Sequence, residues 1–380
     1  MKDYIEALIT QTSDKAKVLR GKIVGPLKSS EFTGLYSRCE RQLDNILERL
    51  EYLSNDPDVK AKENNGIRIR LLRRIIRELS VLEWSGIAAL NRPNDDDVLL
   101  NKILFQIHTE IKYPLNPPTV TCLSQNYYVV HPSIGLLQVP LAESDSFLHL
   151  PDLYHELGHP ILSAKGNPKS ELFQAEFTKF NNKIFTFFLN RRNAISRQTG
   201  PRDYHKFQVN ILAQSWMKYW SMEFFCDLFA TYTLGPAYAW SHWYLTASND
   251  ADPYEVKINQ VSSHPPDQAR MEVILMALDL LGQKTEADKI KKTWDDLLQI
   301  TGSKPNELYR KACPKDLLEL SAVHSMEGVK AIGCRLADDK ATGKIHELLN
   351  NAWNVFWQDP QKYRSWEKVQ LLELRQGYTK

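Results

Sequence analysis

The stretch that decides the fold of this chain is His155-Glu156-Leu157-Gly158-His159, which matches the pattern HExxH. On an α-helix, residues four apart lie on one face, so His155 and His159 can direct their rings at one metal ion. Glu156 lies about 100° further round the helix, within reach of a water molecule on that metal. The pattern therefore predicts a helix that binds zinc and carries a general base for hydrolysis.

The residues around HExxH set the bounds of the predicted helix. Pro151 suits a first helical position, and Asp152 suits the first turn. Pro160 follows the second histidine directly, and its ring clashes with the carbonyl of Glu156, four residues earlier. We therefore expect the helix to kink or end soon after His159.

Composition places the chain among globular proteins. It has 380 residues, of which 43% are hydrophobic and 25% charged, enough for one large domain or two ordinary ones. No apolar run is long enough to span a membrane, and the first residues do not form a signal peptide, so we expect a soluble protein without membrane insertion. Five cysteines without CxxC spacing favour a reducing, cytoplasmic location.

Hydrophobic periodicity predicts a mainly α fold of the α+β class, in three regions. Residues 1–115 form an N-terminal helical region, in which Tyr36–Leu53 and Ile67–Leu90 repeat apolar residues at helical spacing. Residues 116–282 form a core region that contains HExxH. Residues 283–380 form a C-terminal region of short amphipathic helices.

A small sheet is predicted immediately before HExxH. Thr119–Cys122, Tyr127–Val130 and Leu136–Leu141 are β-prone, and a turn-like segment separates the last two. We predict that these strands are antiparallel. Pro140 indicates that its strand lies at the sheet edge, where an extended peptide can bind by strand addition.

Catalytic zinc requires a third protein ligand. The metzincin pattern would continue with glycine at position 162 and histidine at 165, but the chain has Leu162 and Lys165. A glutamate on a later helix is the other main solution. We favour Glu223, because its apolar and aromatic neighbours predict a buried helix, where a carboxylate needs a partner. Glu171 and Glu176 are the alternatives.

Asp227 follows Glu223 by one helical turn, on the same face. We predict that it accepts the second ring N–H of a ligating histidine and thereby fixes the tautomer of that ring. The alternative is a structural network in which Glu223 and Asp227 pair with arginine or lysine.

A helix is predicted over Ser262–Gly282, with Pro265 and Pro266 at its entry. His264 at this entry is a candidate donor to the oxyanion that forms during peptide hydrolysis. Arg270 is a candidate for orienting nearby carboxylates. A helix cap with an incidental histidine is the alternative. Other candidate oxyanion donors are His131, His149, Tyr232 and Tyr238.

Three further features are interpreted as structural. One is a basic stripe that we assign to a solvated helix face, so that nucleic-acid binding is not expected: Arg70, Arg73, Arg74 and Arg77. Another is an aromatic set that we assign to the core: Trp216, Tyr219, Trp220, Phe224, Phe225 and Phe229. Cys226 is interpreted as a packing residue.

The three motifs together resemble those of the gluzincin metallopeptidases. The order HExxH at 155–159, ExxxD at 223–227 and HPP followed by arginine at 264–270 is most similar to the branch that includes CAAX prenyl proteases and their heat-shock-induced bacterial relatives. The resemblance covers roughly residues 120–282 and implies a zincin-like core. It implies one zinc ion per chain, bound by His155, His159 and Glu223, with Glu156 as the general base.

The resemblance also assigns roles to residues that do not bind the metal. It implies that Asp227 and Arg270 hold the ligands in position, and that His264 faces the substrate or the oxyanion. The chain departs from this branch in lacking its membrane helices and in the long spacing between His159 and Glu223. It also lacks the GxMEN-type segment of gluzincin aminopeptidases, which favours endopeptidase action.

The sequence thus predicts zinc-dependent hydrolysis of a protein or peptide substrate, with Glu156 activating a zinc-bound water. The alternative is a catalytically inactive protein on a zincin scaffold, which acts as an interaction or regulatory module through its helical flanks. Neither reading predicts an oligomeric state.

Overall fold

The computed structural model describes residues 2–23, 30–124, 127–198, 204–338 and 343–378. The residues between these ranges, which include parts of all three predicted regions, lie outside the described residues. The described part of the chain is mainly helical with one small sheet, as the sequence predicted. None of its helices is both long enough and apolar enough to cross a membrane.

Contacts divide the chain into two compact units. Unit 1 comprises residues 1–104 and 118–144, and unit 2 comprises residues 105–117 and 145–380. The three regions that we predicted at 1–115, 116–282 and 283–380 differ from these units and stay a prediction.

Unit 1 is built on α-helices whose apolar residues recur at helical spacing. They are α1 (Lys2–Lys22), α2 (Thr33–Asn55), α3 (Pro57–Lys60), α4 (Asn65–Val81), α5 (Ala88–Asn91) and the first part of α6 (Asp95–Ile111). Helices α1, α2 and α4 pack together around a buried apolar core. A π-helical segment, Leu82–Ile87, continues α4 into α5, so the helix predicted over Ile67–Leu90 is confirmed as one helical run. The arginine stripe on α4 is exposed, as predicted.

The sheet of unit 1 has three strands: β1 (Thr119–Ser124), β2 (Val129–His131) and β3 (Leu136–Pro140). Their order is β1-β3-β2, with β2 antiparallel and β1 parallel to β3. The prediction of an antiparallel sheet is therefore wrong for the β1–β3 pair, and the sheet is mixed. Strand β3 is central, so the predicted edge strand and peptide addition to it are also wrong. Pro140 is tolerated because it ends β3, beyond the register shift between Thr121 and Ser124.

Side chains of α6 cover the second edge of β1. The Asn101 amide donates to the Val120 carbonyl over 2.8 Å, and its oxygen accepts from the Val120 N–H over 2.9 Å. Asp97 accepts from the Cys122 N–H over 2.6 Å. These bonds give the edge backbone of β1 the partners that another strand would otherwise supply.

Unit 2 contains the end of α6 and the remaining helices. They are α7 (Asp152–Ser163), α8 (Pro168–Gln198), α9 (Tyr204–Ser215), α10 (Ser221–Leu234), α11 (Pro236–Ala247), α12 (Asp267–Leu280), α13 (Lys284–Thr301), α14 (Glu307–Ala312), α15 (Lys315–Ala331), α16 (Lys344–Gln358) and α17 (Pro360–Gly377). Helix α10 packs against α7, α12 and α15 and is buried along its length except at Met222. The predicted aromatic core is confirmed except at Tyr219, which is exposed.

In unit 2, the HExxH helix ends soon after His159, as expected, whereas the helix predicted over Ser262–Gly282 begins later than predicted. Helix α7 continues through Pro160 to Ser163, because its last turn is closed by bonds that do not need the missing proline N–H. Ser163 Oγ donates to the His159 carbonyl over 2.9 Å, and Ala164 N–H donates to the Pro160 carbonyl over 2.8 Å. Helix α12 begins at Asp267, because the preceding Pro266 has extended backbone with ψ of 139°.

Candidate metal centre

Helices α7 and α10 are in close contact at Gly158, the fourth residue of HELGH. A Cβ atom at this position would lie 2.9 Å from both the Cα and the Sγ of Cys226. Real Cβ atoms essentially never come so close, so a residue larger than glycine would push the helices apart. This contact brings the two histidines of α7 next to the ExxxD residues of α10.

Asp227 fixes the tautomer of His155. The Nδ1 atom of His155 lies 2.9 Å from Asp227 Oδ1, and Asp227 is fully buried. Since an ionised carboxylate only accepts hydrogen bonds, Nδ1 carries the proton and donates. The lone pair of the neutral ring is then on Nε2, the atom that a metal ion would bind.

Glu223 faces this Nε2 atom. Its Oε2 atom lies 3.5 Å from His155 Nε2, and the side chain is buried. Two ligand atoms of a tetrahedral zinc site, with bonds of about 2.0–2.2 Å, lie roughly 3.3–3.5 Å apart. The 3.5 Å separation of these two atoms thus fits two ligands of one zinc ion. Because the Nε2 lone pair and the carboxylate oxygen are both acceptors, a cation or a proton must lie between them.

His159 and Cys226 complete the set of donor atoms. The rings of His155 and His159 meet edge to face with centroids 5.2 Å apart. The ligand atoms of His155, His159 and Cys226 all lie within 4.8 Å of one another, a spacing at which they could hold a metal ion. The thiol of Cys226 is thus the third member of this group, whereas the carboxylate of Glu223 contacts His155 and is not a member of the group.

Arg270 and Tyr238 hold Asp227 in place. Arg270 makes a bidentate pair with this carboxylate, from Nε over 2.8 Å and from the terminal nitrogen over 2.6 Å. The Tyr238 hydroxyl donates to Asp227 Oδ1 over 2.5 Å and lies 3.0 Å from His155 Nδ1. A buried network of this kind keeps the imidazole of His155 in a single orientation.

The electrostatics of the site favour a cation beside Glu223. Burial lowers the pKa of His155, but hydrogen bonds to Asp227 and Glu223 outweigh it and raise the pKa to about 10. Burial acts to raise the pKa of Glu223, but contact with His155 brings it down to about 2. Burial and the nearby charge of His155 lower the pKa of His159 to about 4, so this ring is neutral, as a metal ligand must be.

The charge of Asp227 is already balanced within the protein. Burial acts to raise the pKa of this carboxyl, but the charge and hydrogen bonds of Arg270 hold it well below its usual range. Glu223 has no comparable arginine bonded to it among the described residues, so its charge is directed at the two histidines. The two acids of ExxxD thus have different surroundings. Asp227 pairs with the guanidinium of Arg270, whereas Glu223 faces the Nε2 atom of His155.

Glu156 is buried on the same helix as the histidines, with 6% of its surface exposed. Burial raises the pKa of the Cys226 thiol well above its usual range, and the charges of Glu223 and Glu156 add to this rise. The role of Glu156 as general base stays a prediction.

The alternative third ligands lie in other surroundings. Glu171 is exposed in the first turn of α8. Glu176 is bonded to Lys179 over 2.5 Å and to His324 over 2.8 Å. No contact that the structure describes brings either glutamate to HExxH, which leaves Glu223 as the glutamate that faces His155.

His264 is exposed and is held by its own loop. Its Nδ1 atom bonds to the Ser263 hydroxyl over 2.9 Å, and its carbonyl accepts from Ser262 over 2.8 Å. Among the described residues, no hydrogen bond joins His264 to the HExxH helix. Its predicted role as oxyanion donor stays a prediction.

The other candidate oxyanion donors have partners of their own. Tyr232 donates to the Ala322 carbonyl over 2.8 Å, and His149 packs its ring on Tyr244 with centroids 5.1 Å apart. His131 belongs to β2 of unit 1, where it bonds to Gln138. Tyr238 contacts the metal centre, but from the Nδ1 side of His155, where it supports the ligand.

Sequence reasoning missed two contributions to this centre. Tyr238 was considered only as an oxyanion donor, and its bond to Asp227 depends on how α11 packs against α10. Cys226 was interpreted as a packing residue, and its approach to both histidines depends on the absence of a side chain at Gly158. The sequence did contain one signal for Cys226: it follows Glu223 by three residues, which places both side chains on one side of the helix.

No protein-family model, curated protein or solved structure matches this chain. The resemblance to gluzincins therefore rests on the three sequence motifs and stays a prediction.

Proposed function

We propose that this chain is a zinc-dependent peptide hydrolase with a zincin-like centre, in which His155, His159 and Glu223 bind one zinc ion. The observation that supports this most is the 3.5 Å separation of His155 Nε2 and Glu223 Oε2, on a ring whose other nitrogen is held by Asp227. Metal binding would displace the proton from His155 Nε2, and the lone pair of this nitrogen and the ionised Glu223 carboxylate would then face the same point.

Each residue of the centre then has a distinct task. When bound, zinc would supply a Lewis acid that polarises the peptide carbonyl and lowers the pKa of the attacking water. Glu156 accepts a proton from that water and passes it to the leaving amine. Asp227 keeps the Nδ1 proton of His155 in place, so that Nε2 stays available as a ligand.

The substrate class that we propose is a protein or peptide cut within its chain, because the motif for binding a free amino terminus is absent from the sequence. We also propose a reducing, cytoplasmic location. All five cysteines are buried free thiols, which an oxidising compartment would expose to pairing during folding.

The metal centre is tested by zinc content. Protein purified without a metal-affinity tag is dialysed against zinc, and bound metal is measured by mass spectrometry for wild type, E223Q and E176Q. Glu176 is a matched control, because it also bonds to a histidine, His324, over 2.8 Å. We expect one zinc ion per chain in wild type and E176Q, and a large loss of affinity in E223Q.

Two results would overturn the proposed centre. One is wild-type protein that binds no zinc after dialysis. The other is E223Q protein with the same zinc affinity as E176Q, which would remove Glu223 from the ligand set.

A further inference from the structure

Cys226 is the third member of a group of donor atoms that contains both histidines of HExxH. Its Sγ belongs to the group of three ligand atoms, with those of His155 and His159, that lie within 4.8 Å of one another. A thiolate is a strong zinc ligand, with a bond of about 2.3 Å. The cysteine is fully buried, so its sulfur faces the interior of unit 2 and not solvent.

The local sequence creates the space that this sulfur occupies. Gly158 lies between the two histidines on α7, and a Cβ atom there would be 2.9 Å from Cys226 Sγ. On α10, Cys226 lies between Glu223 and Asp227, both of which bond to His155. The Cys226 sulfur thus lies among residues of the candidate metal centre. These residues are His155 and His159 on α7, and Glu223 and Asp227 on α10.

We propose that Cys226 coordinates the metal ion as a fourth protein ligand and closes the centre in its resting state. This inference rests on the proposed function and adds to it a form of regulation. On coordination the S–H bond breaks, the sulfur donates an electron pair to the metal, and the proton leaves to solvent. Four protein ligands are typical of structural zinc sites, whereas catalytic sites keep one position open for water.

Closure by Cys226 has a consequence for catalysis. Water can enter the centre only when the sulfur leaves, so the hydrolytic rate is limited by exchange of this ligand. A C226A chain with the same zinc content is therefore expected to hydrolyse peptides faster than wild type.

Cobalt(II) substitution tests the ligand directly, without reference to activity. Cobalt bound to a thiolate gives a sulfur-to-metal charge-transfer band in the near ultraviolet, and its visible bands report tetrahedral binding. Wild type, C226S and C313S are each loaded with one equivalent of cobalt. Cys313 is a matched control, because it is also a buried thiol of unit 2 but does not belong to the three-donor group.

We expect the charge-transfer band in wild type and C313S, and its loss in C226S with the visible bands retained. Cobalt bound by wild type without the band, or a band that persists in C226S, would overturn this inference and leave the zinc centre of His155, His159 and Glu223 standing. Failure of wild type to bind cobalt or zinc at all would overturn both proposals.

Discussion

At the scale of single residues, Asp227 connects the most groups in the metal centre. It accepts hydrogen bonds from His155, Tyr238 and Arg270, and it is fully buried. It therefore orients the His155 ring, the proposed metal ligand, and balances the guanidinium of Arg270.

We expect D227N to weaken zinc binding by about 10- to 100-fold, the usual effect of removing a group that orients a ligating histidine. An amide can donate as well as accept, so it no longer specifies the Nδ1–H tautomer of His155. Zinc affinity is measured by competition with a chelator. D152N is the control, because Asp152 is also buried and bonds to Ser241 over 3.1 Å. Equal affinities in the two variants would contradict the role given to Asp227.

The sequence predicted which residues of α7 and α10 share a helix face, because these residues repeat at helical spacing. His155 with His159, and Glu223 with Asp227, each lie four residues apart, so one turn of helix sets their common face. The pairing of Asp227 with Arg270 could be anticipated from charge alone. The contacts of Tyr238 and Cys226 could not, because they depend on the distance between helices and on the side chain that Gly158 lacks.

At the scale of elements, the α7–α10 contact positions both halves of the centre. Gly158 allows the two helices to touch at Cys226, and no rearrangement of a flexible side chain would make room, since the nearest atom is backbone Cα. The helix pair is therefore sensitive to a single methyl group.

We expect G158A to lower the free energy of unfolding by about 1–3 kcal/mol, as overpacking of a close contact does, and to weaken zinc binding as well. Chemical denaturation without metal measures the first effect. G21A is the control, because Gly21 lies in α1 with open space around its Cα and gains helix propensity from alanine. A G158A chain as stable as wild type would show that the helices do not pack as described.

Element boundaries and strand directions were predicted less well than the helices themselves. Pro140 suggested an edge strand, but it stands at the last residue of central β3, where the ladder ends. Pro160 predicted that α7 ends soon after His159, and the helix does end one turn later, at Ser163, in a turn that Ser163 and Ala164 close. Only at Pro140 did the local rule about proline fail, because this residue stands at the end of its strand.

At the scale of the whole molecule, the proposed metal binding would be coupled to folding. The proposed ligands come from α7 and α10, which pack together in folded unit 2, so zinc would bind the native state in preference to the unfolded chain.

We expect zinc at 100 times its dissociation constant to stabilise wild type by about 2.7 kcal/mol. E223Q should gain much less at the same zinc concentration, because it lacks one of the three proposed ligands. Thermal or denaturant unfolding with and without zinc measures both gains. An unfolding midpoint of wild type that does not respond to zinc would contradict the coupling.

The central claim is that Glu156 performs chemistry on a zinc ion that other residues hold. The most direct measurement compares peptide hydrolysis by wild type and E156Q, with the zinc content of both proteins determined in the same samples. We predict equal zinc content and a rate at least about 100-fold lower in E156Q, because proton transfer by a positioned base contributes on that scale. Full activity of zinc-loaded E156Q, or absence of hydrolysis by zinc-loaded wild type across a diverse peptide library, would contradict it.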